Sequence, residues 1–350
     1  MTVATDTDLP MQALAYALER GGLEPAQGMT LLLRARPGAA LRTLGGVALQ
    51  CQQSFRPAFE ALHKERLQTV EQVEELTRGA ARVIALPPRQ REESRALLAA
   101  MLTLAAPGAQ LVCSVANDEG ARSVEKDLTQ LAGLGGSLTK HHCRVFWSAP
   151  VDGQHDAALA ERWRALDAPR AILGGQYRSR PGVFAWDRVD AASALLAEAL
   201  PTSLSGDAAD LGAGWGYLAD QLRQRCAGIG SIDLYEAEGR ALAMARENLT
   251  ATDTLKLGFH WHDVTKGLPG RYDVIVSNPP FHGLGRGERP DIGRRFIDVA
   301  ADALRPRGQF WMVANRHLPY EDVLATRFGQ VQAVAEGGGF KVIAASGPRA

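Results

Sequence analysis

The chain has 350 residues, enough for two domains of ordinary size, and its 46% hydrophobic and 22% charged content is that of a globular rather than a disordered protein. No run approaches the roughly 18–20 apolar residues that cross a bilayer, and the acidic start MTVATDTDLP lacks the basic-then-apolar pattern of a secretory leader. Lys plus Arg and Asp plus Glu balance at 39 each, so a polyanionic partner must be met by local arginine clusters rather than by net charge.

In the first half, a strand over ARVIAL (81–86) is followed by a helix over ALLAAMLTLAA, a Pro-Gly turn and a strand over QLVCSVAND. The second half places strands near Ala208–Leu211, Ser231–Tyr235, Leu257–His260, Asp273–Ser277, Gln309–Val313 and Phe340–Ala344. Helices fall near Tyr217–Cys226, Glu238–Leu249 and Ile292–Leu304. Alternation of strands with helices of this length implies βαβ units and a doubly wound, mostly parallel α/β sheet. The halves also look alike. ARVIALPPRQ (81–90) aligns with YDVIVSNPPF (272–281), and both continue through a helix and a Pro-Gly turn to a strand ending in Val-Ala-Asn. In that alignment Leu86 stands where Asn278 stands and Arg89 where Phe281 stands, while LLLRARPGAAL offers no glycine-rich turn. The first copy therefore reads as degenerate: a scaffold or substrate-handling domain over 1–165, a linker over 166–180, and a second domain over 181–350. Cys51, Cys113, Cys143 and Cys226 form no C-x-x-C pair, which argues against a disulfide framework or a zinc site and for reduced thiols in a cytoplasm. No metal is expected.

DAADLGAGWGYLADQL sets Asp210 at the end of a strand, then Gly212, Gly214 and Gly216 before a helix. Glycines at alternate positions let the backbone turn sharply and approach a ligand, and the helix start offers free N–H groups. Glu236 ends the next strand, where an acid in a doubly wound fold accepts hydrogen bonds from ribose hydroxyls. Asp233, inside the strand, and Glu238, at the helix start, are rivals. A dinucleotide oxidoreductase shares these two features, but its fingerprint is G-x-G-x-x-G; D-x-G-x-G-x-G suits a ligand with a cationic amino-acid group. After the third strand, Asp263 can accept from an adenine amine and the Val264 N–H can bond a ring nitrogen. Together these strand ends describe an adenosine-containing, positively charged cofactor.

The fourth strand leaves through SNPPF. Pro279 and Pro280 stiffen the exit and bias Asn278 towards extended geometry. The Asn278 amide oxygen and the Pro279 carbonyl can then accept both hydrogens of an exocyclic amine, with the Phe281 ring a platform for a planar base. This stretch resembles the (N/D/S)-P-P-(F/Y/W) motif of class I S-adenosylmethionine-dependent amino-methyltransferases. RPGVF (180–184), DLGAGWG, SNPPFH and VANRHLPYEDVL occur in the order seen in bacterial ribosomal RNA guanine-N2 methyltransferases, and VANDEGARSVEKDL (115–128) resembles their first domain. LPYEDVL and GGGFKV look closer to the small-subunit than to the large-subunit enzyme.

The resemblance implies two tandem Rossmann-like methyltransferase domains, the first unable to bind cofactor. It implies that Asp210, Gly212, Ala213, Gly214 and Gly216 surround the methionine part of S-adenosylmethionine, with Glu236 on the ribose, Asp263 and Val264 at the adenine, and Asn278, Pro279, Pro280 and Phe281 at the target base. The partner implied is ribosomal RNA or a ribosomal subunit, met by a monomer in the cytoplasm. Two departures are GAG where the family more often has GCG, and the basic stretch GLGRGERPDIGRR. Arg286, Arg289, Arg294, Arg295 and Arg316, with His317, would rim the crevice and meet phosphate; His282 reads as a surface or substrate-contacting residue. Methylation of a glutamine amide or of adenine, and a cofactor-dead RNA-binding protein, remain alternatives. Intact Asp210, Gly212, Gly214, Glu236 and Asn278 argue against the last.

Overall fold

The computed structural model describes residues 8–23, 26–44, 48–153, 155–280 and 290–349. They form two compact units, Met1–Ala168 and Pro169–Ala350. In the first, the strands are β1 (Thr30–Leu33), β2 (Leu49–Gln52), β3 (Gln68–Val70), β4 (Ala80–Ala85), β5 (Ala105–Ala116), β6 (Gly136–Lys140) and β7 (Cys143–Trp147). Helices α1 (Leu9–Arg20), α2 (Ala39–Thr43), α3 (Arg56–Lys64), α4 (Arg91–Leu104), α5 (Ala121–Ala132) and α6 (Ala157–Arg164) accompany them. The second unit opens on a two-stranded antiparallel ribbon, β8 (Arg170–Ile172) and β9 (Tyr177–Ser179). Its sheet contains β10 (Ser205–Leu211), β11 (Gly228–Glu236), β12 (Lys256–Trp261), β13 (Tyr272–Ser277), β14 (Leu304–Asn315), β15 (Phe328–Gly337) and β16 (Phe340–Pro348). Its helices are α7 (Ala191–Ala199), α8 (Tyr217–Arg225), α9 (Gly239–Asn248), α10 (Pro290–Ala303) and α11 (Glu321–Arg327).

The sheets run β3-β2-β1-β4-β5-β7-β6 and β12-β11-β10-β13-β14-β16-β15, which is one strand order written twice. In each, the first five strands along that order are parallel and the last pairings are antiparallel. Strands buried on both faces must be apolar at every position, and β13 shows why VIV reads as a strand. Val274 and Val276 enter the core beneath α7, α8 and α9, while Ile275 enters the opposite core with α10 and α11. Each such fully buried side chain contributes about 1.5–3 kcal/mol.

Register makes the halves comparable residue by residue. Leu211 lies beside Tyr235 and Ser277; Leu33 lies beside Gln52 and Ala85. One step further along the strands, Arg34 occupies the place of Gly212, Gln53 that of Glu236 and Leu86 that of Asn278. Arg34 keeps the left-handed turn, with φ 54° against 74° at Gly212. The Ala35 N–H donates to the Gln52 carbonyl as the Ala213 N–H donates to that of Tyr235.

Candidate functional site

β10 and β11 reach the carboxyl edge of the second sheet side by side, and the chain turns there through left-handed glycines, with φ 74°, 56° and 92° at Gly212, Gly214 and Gly216. At Gly216 the left-handed backbone favours glycine, and a side chain there would also crowd Leu249 Cδ1 at 3.0 Å and Ala245 Cβ at 3.3 Å. Beyond Gly214 lies open space. The Glu236 carboxylate ties this turn to the next element, its Oε2 accepting from the Gly214 N–H at 2.7 Å and its Oε1 from the Glu238 N–H at 2.8 Å. Burial raises its pKa.

The two rival acids have other partners. Asp233 accepts from the Tyr272 hydroxyl at 2.7 Å and lies 3.0 Å from His260 Nε2, back inside the sheet. Glu238 caps α9, accepting from the Arg240 N–H. Asp263 caps a 3-10 turn over Val264–Lys266, its Oδ1 accepting from the Thr265 N–H and hydroxyl at 3.0 and 2.6 Å, and the Val264 side chain sits in the core.

Asp210 is wholly buried beneath the turn. Its Oδ2 accepts from the Ala219 N–H at 3.0 Å, while Oδ1 has no hydrogen-bond donor among the described residues. Burial pushes the carboxyl up to about 7; the Ala219 N–H opposes the shift and the Glu236 charge reinforces it. A buried carboxylate with an idle oxygen is costly unless a donor arrives.

β13 is drawn to β10 by the Ser277 hydroxyl, which donates to the Leu211 carbonyl at 2.7 Å. Next comes Asn278, half-buried, then buried Pro279 and exposed Pro280. Asn278 Nδ2 donates to Asp190 Oδ2 and to Ser193 Oγ, both at 2.9 Å. Because a carboxylate only accepts, the nitrogen end of the amide must face Asp190, and Oδ1 is the other end. Asn278 shares one cleft with Phe184, Ser193, Gly212, Gly214 and Trp215. Phe184 stands 67% exposed at its wall.

Phe281, His282, Arg286 and Arg289 lie outside the described residues. Arg294 and Arg295 are exposed on the first turns of α10, and Arg295 Nε donates to the Thr265 carbonyl at 2.7 Å, next to Asp263. Phe296, the following residue, would lie 3.6 Å from a side chain at Gly212, so this end of α10 abuts the glycine turn. Arg316 leaves the end of β14 with its side chain 71% exposed, 3.9 Å from Glu336. The structure thus gathers Gly212, Ala213, Gly214 and Asn278 in one cleft, with Glu236 bonded to its turn, Asp210 bonded to the helix that follows it, and Asp263 just past the end of the adjoining strand.

Sequence reasoning missed Asp190, Ser193 and Phe184. The pattern D-x-x-S before ALLAEAL marks a helix start, but nothing in it announces an amide 85 and 88 residues away. The donor set fits S-adenosylmethionine. An idle buried oxygen at Asp210 suits an ammonium group, the lone pairs left on Glu236 suit ribose hydroxyls, and the open space at Gly214 admits a ligand against the backbone.

The model of the methyltransferase small domain family matches residues 175–344. A ribosomal RNA small subunit methyltransferase C from Sodalis glossinidius (strain morsitans) is 31% identical over 264 residues, covering 75% of this chain and 73% of the relative. One from Shewanella baltica (strain OS195) is 32% identical over 241 residues, 67% of each. Among solved structures, the T. thermophilus 16S rRNA N2 G1207 methyltransferase (RsmC), in complex with AdoMet and guanosine, matches with a TM-score of 0.82 at 27% identity, over 98% of this chain and 93% of that one.

Proposed function

The chain belongs to the ribosomal RNA small subunit methyltransferase C family, and from that premise we propose which of its residues carry methyl transfer from S-adenosylmethionine to the N2 amine of a guanine in small-subunit ribosomal RNA. The observation that carries the assignment is the Asn278 amide, its nitrogen end bonded to Asp190 and Ser193, in one cleft with a glycine turn bridged to Glu236. Asp210, Gly212, Ala213, Gly214 and Gly216 hold the methionine part of the cofactor, Glu236 the ribose, and Asp263 with the Val264 N–H the adenine. When bound, S-adenosylmethionine supplies an electrophilic methyl group.

The chain's own contribution is placement and charge. The Asn278 oxygen and the Pro279 carbonyl accept the two hydrogens of the guanine amine, turning its lone pair towards the cofactor and favouring the positive charge that develops on nitrogen. Orientation of this kind is worth up to about 7–11 kcal/mol. Phe281 and Pro280 complete the base site. The first unit serves as scaffold or substrate handler, which Arg34, Gln53 and Leu86 at the positions of Gly212, Glu236 and Asn278 support. The enzyme works on ribosomal RNA or an assembled subunit, as a cytoplasmic monomer; among the described residues no helix is long and apolar enough to cross a membrane. Mapping modified guanines in small-subunit RNA from cells with and without the gene tests the reading. An unchanged methylation pattern overturns it.

Two results are expected at this site. Replacing Arg294 and Arg295 with alanine weakens RNA binding and lowers the slope of log affinity against log salt by up to about two phosphate contacts. Arg294→Ala alone leaves cofactor affinity unchanged, since it is Arg295 that holds the Thr265 carbonyl beside Asp263. Filter binding across a salt series measures it, and unaltered RNA affinity removes these arginines from the interface.

The second concerns pH. The folded carboxyl of Asp210, at about 7, lies above the unfolded value. Its contribution to the stability of the cofactor-free protein is therefore fully present below that unfolded value and lost as pH rises towards 7. A cationic ligand favours the ionised form, so cofactor binding below pH 7 releases a proton and weakens by roughly tenfold per pH unit at the limit. Calorimetric titration in two buffers of different ionisation heat reads the released proton, and Asp210→Asn reduces the pH dependence to what Glu236, also raised by burial, contributes. A flat affinity between pH 5.5 and about 8 in the native protein contradicts this role.

A further inference from the structure

We propose that Asp190 and Ser193 are positioning residues that lock the Asn278 amide in the one orientation able to receive the substrate amine, an inference resting on the role assigned to Asn278 above. An asparagine amide has two orientations of nearly equal shape, related by a half-turn that exchanges oxygen and nitrogen. Only the one with Oδ1 outward presents an acceptor to an incoming N–H. A free amide would populate both, and the wrong one would set its N–H₂ against the amine.

The geometry removes that choice. Asp190 Oδ2 and Ser193 Oγ each receive Nδ2 at 2.9 Å, so both amide hydrogens are engaged by the protein. The half-turn would press an oxygen against the Asp190 carboxylate, which cannot donate. Ser193, whose hydroxyl can donate as well as accept, would bond either end, so the choice of orientation is made by Asp190. The lock is itself held rigid, because Asp190 is the N-cap of α7 and the same Oδ2 accepts from the Ser193 N–H at 3.0 Å. Ala192, Leu196 and Ala197 of α7 are buried, and the helix packs on β14, β15 and β16. The cap, the third helical residue and the amide thus form one closed set, carried by a helix that precedes the first strand of the sheet. The negative charge at Asp190 also draws the amide hydrogens and leaves Oδ1 a stronger acceptor.

The test must separate the lock from the cap. Asp190→Ser keeps a good N-cap but is too short to reach Asn278, whereas Asp190→Asn keeps an oxygen acceptor for both. Ser193→Ala removes the second bond with little change in packing. With small-subunit particles from a strain lacking the gene and methyl-labelled S-adenosylmethionine, Asp190→Ser and Ser193→Ala are expected to lower kcat by about tenfold to a hundredfold. RNA KM, cofactor Kd and the melting temperature stay near those of the unaltered enzyme, and Asp190→Asn retains most of kcat. Full kcat in Asp190→Ser and Ser193→Ala, beside an inactive Asn278→Ala, overturns the lock while leaving the reading of Asn278 intact; an active Asn278→Ala overturns that reading instead. Loss of cofactor affinity in step with kcat, or equal loss in Asp190→Asn and Asp190→Ser, shows a structural role and overturns the lock as well.

Discussion

An Asn278→Ala enzyme is expected to bind S-adenosylmethionine almost normally and to methylate ribosomal RNA about 10²–10³-fold more slowly, the range seen when one preorganised hydrogen-bonding partner of a developing charge is removed. The loss falls on kcat because the amide oxygen matters most when charge builds on the guanine nitrogen. Alanine also leaves Asp190 and Ser193 facing a gap where a donor stood. Asn278→Asp is expected to do no better, since a carboxylate there confronts Asp190 Oδ2 with a second acceptor in place of an N–H. Initial rates at saturating cofactor measure both variants. A rate within tenfold of the original for Asn278→Ala would mean that this residue does not hold the base.

The next largest effect is expected at Glu236, on cofactor affinity. Glu236→Gln should weaken S-adenosylmethionine binding by roughly a hundredfold, the equivalent of losing about 3 kcal/mol of hydrogen bonding to a charged group. The first unit already shows what an amide does at this place. Gln53 Oε1 accepts from the Phe55 N–H at 2.8 Å, as Glu236 Oε1 accepts from Glu238, but Gln53 Nε2 donates to the Ala35 carbonyl at 2.7 Å where Glu236 accepts from the Gly214 N–H. The amide satisfies its own loop and gives up the charge that would attract ribose hydroxyls. Titration calorimetry on Glu236→Gln decides, and an affinity within threefold of the original excludes a ribose contact there.

What could be read from residues alone follows the physics of each segment. β13 was legible because a strand buried on both faces has to be apolar throughout, and the exit at Ser277 stands out against it. The glycine turn was legible because left-handed backbone excludes most other residues. β15 was not: FGQVQAVAEG is exposed along most of its length, so no buried alternation marks it, and its partner β16 places it instead. The three-residue strands β8 and β9 and the helices α7 and α11 also went unread, although D-x-x-S before ALLAEAL marked the start of α7. Among site residues, strand position favoured Glu236 over its rivals, but only hydrogen bonds show Asp233 held by Tyr272 and Glu238 consumed as a cap. Asp190 and Ser193 reach Asn278 across the fold, and contacts so distant in sequence leave no local pattern.

Arg34 makes a separate point. It bends through the same left-handed region as Gly212, bonds its N–H to Gln52 Oε1 at 3.1 Å and pairs its guanidinium with Glu93. For a residue with a Cβ that conformation costs about 1–2 kcal/mol, yet the bend persists in a half with neither the acid nor the amide of its counterpart. The kink therefore belongs to the crossover from strand to helix and would be there with or without a ligand. One bend serves two different linings, a glycine turn beside an acid and an amide in one half and an arginine paired with Glu93 in the other.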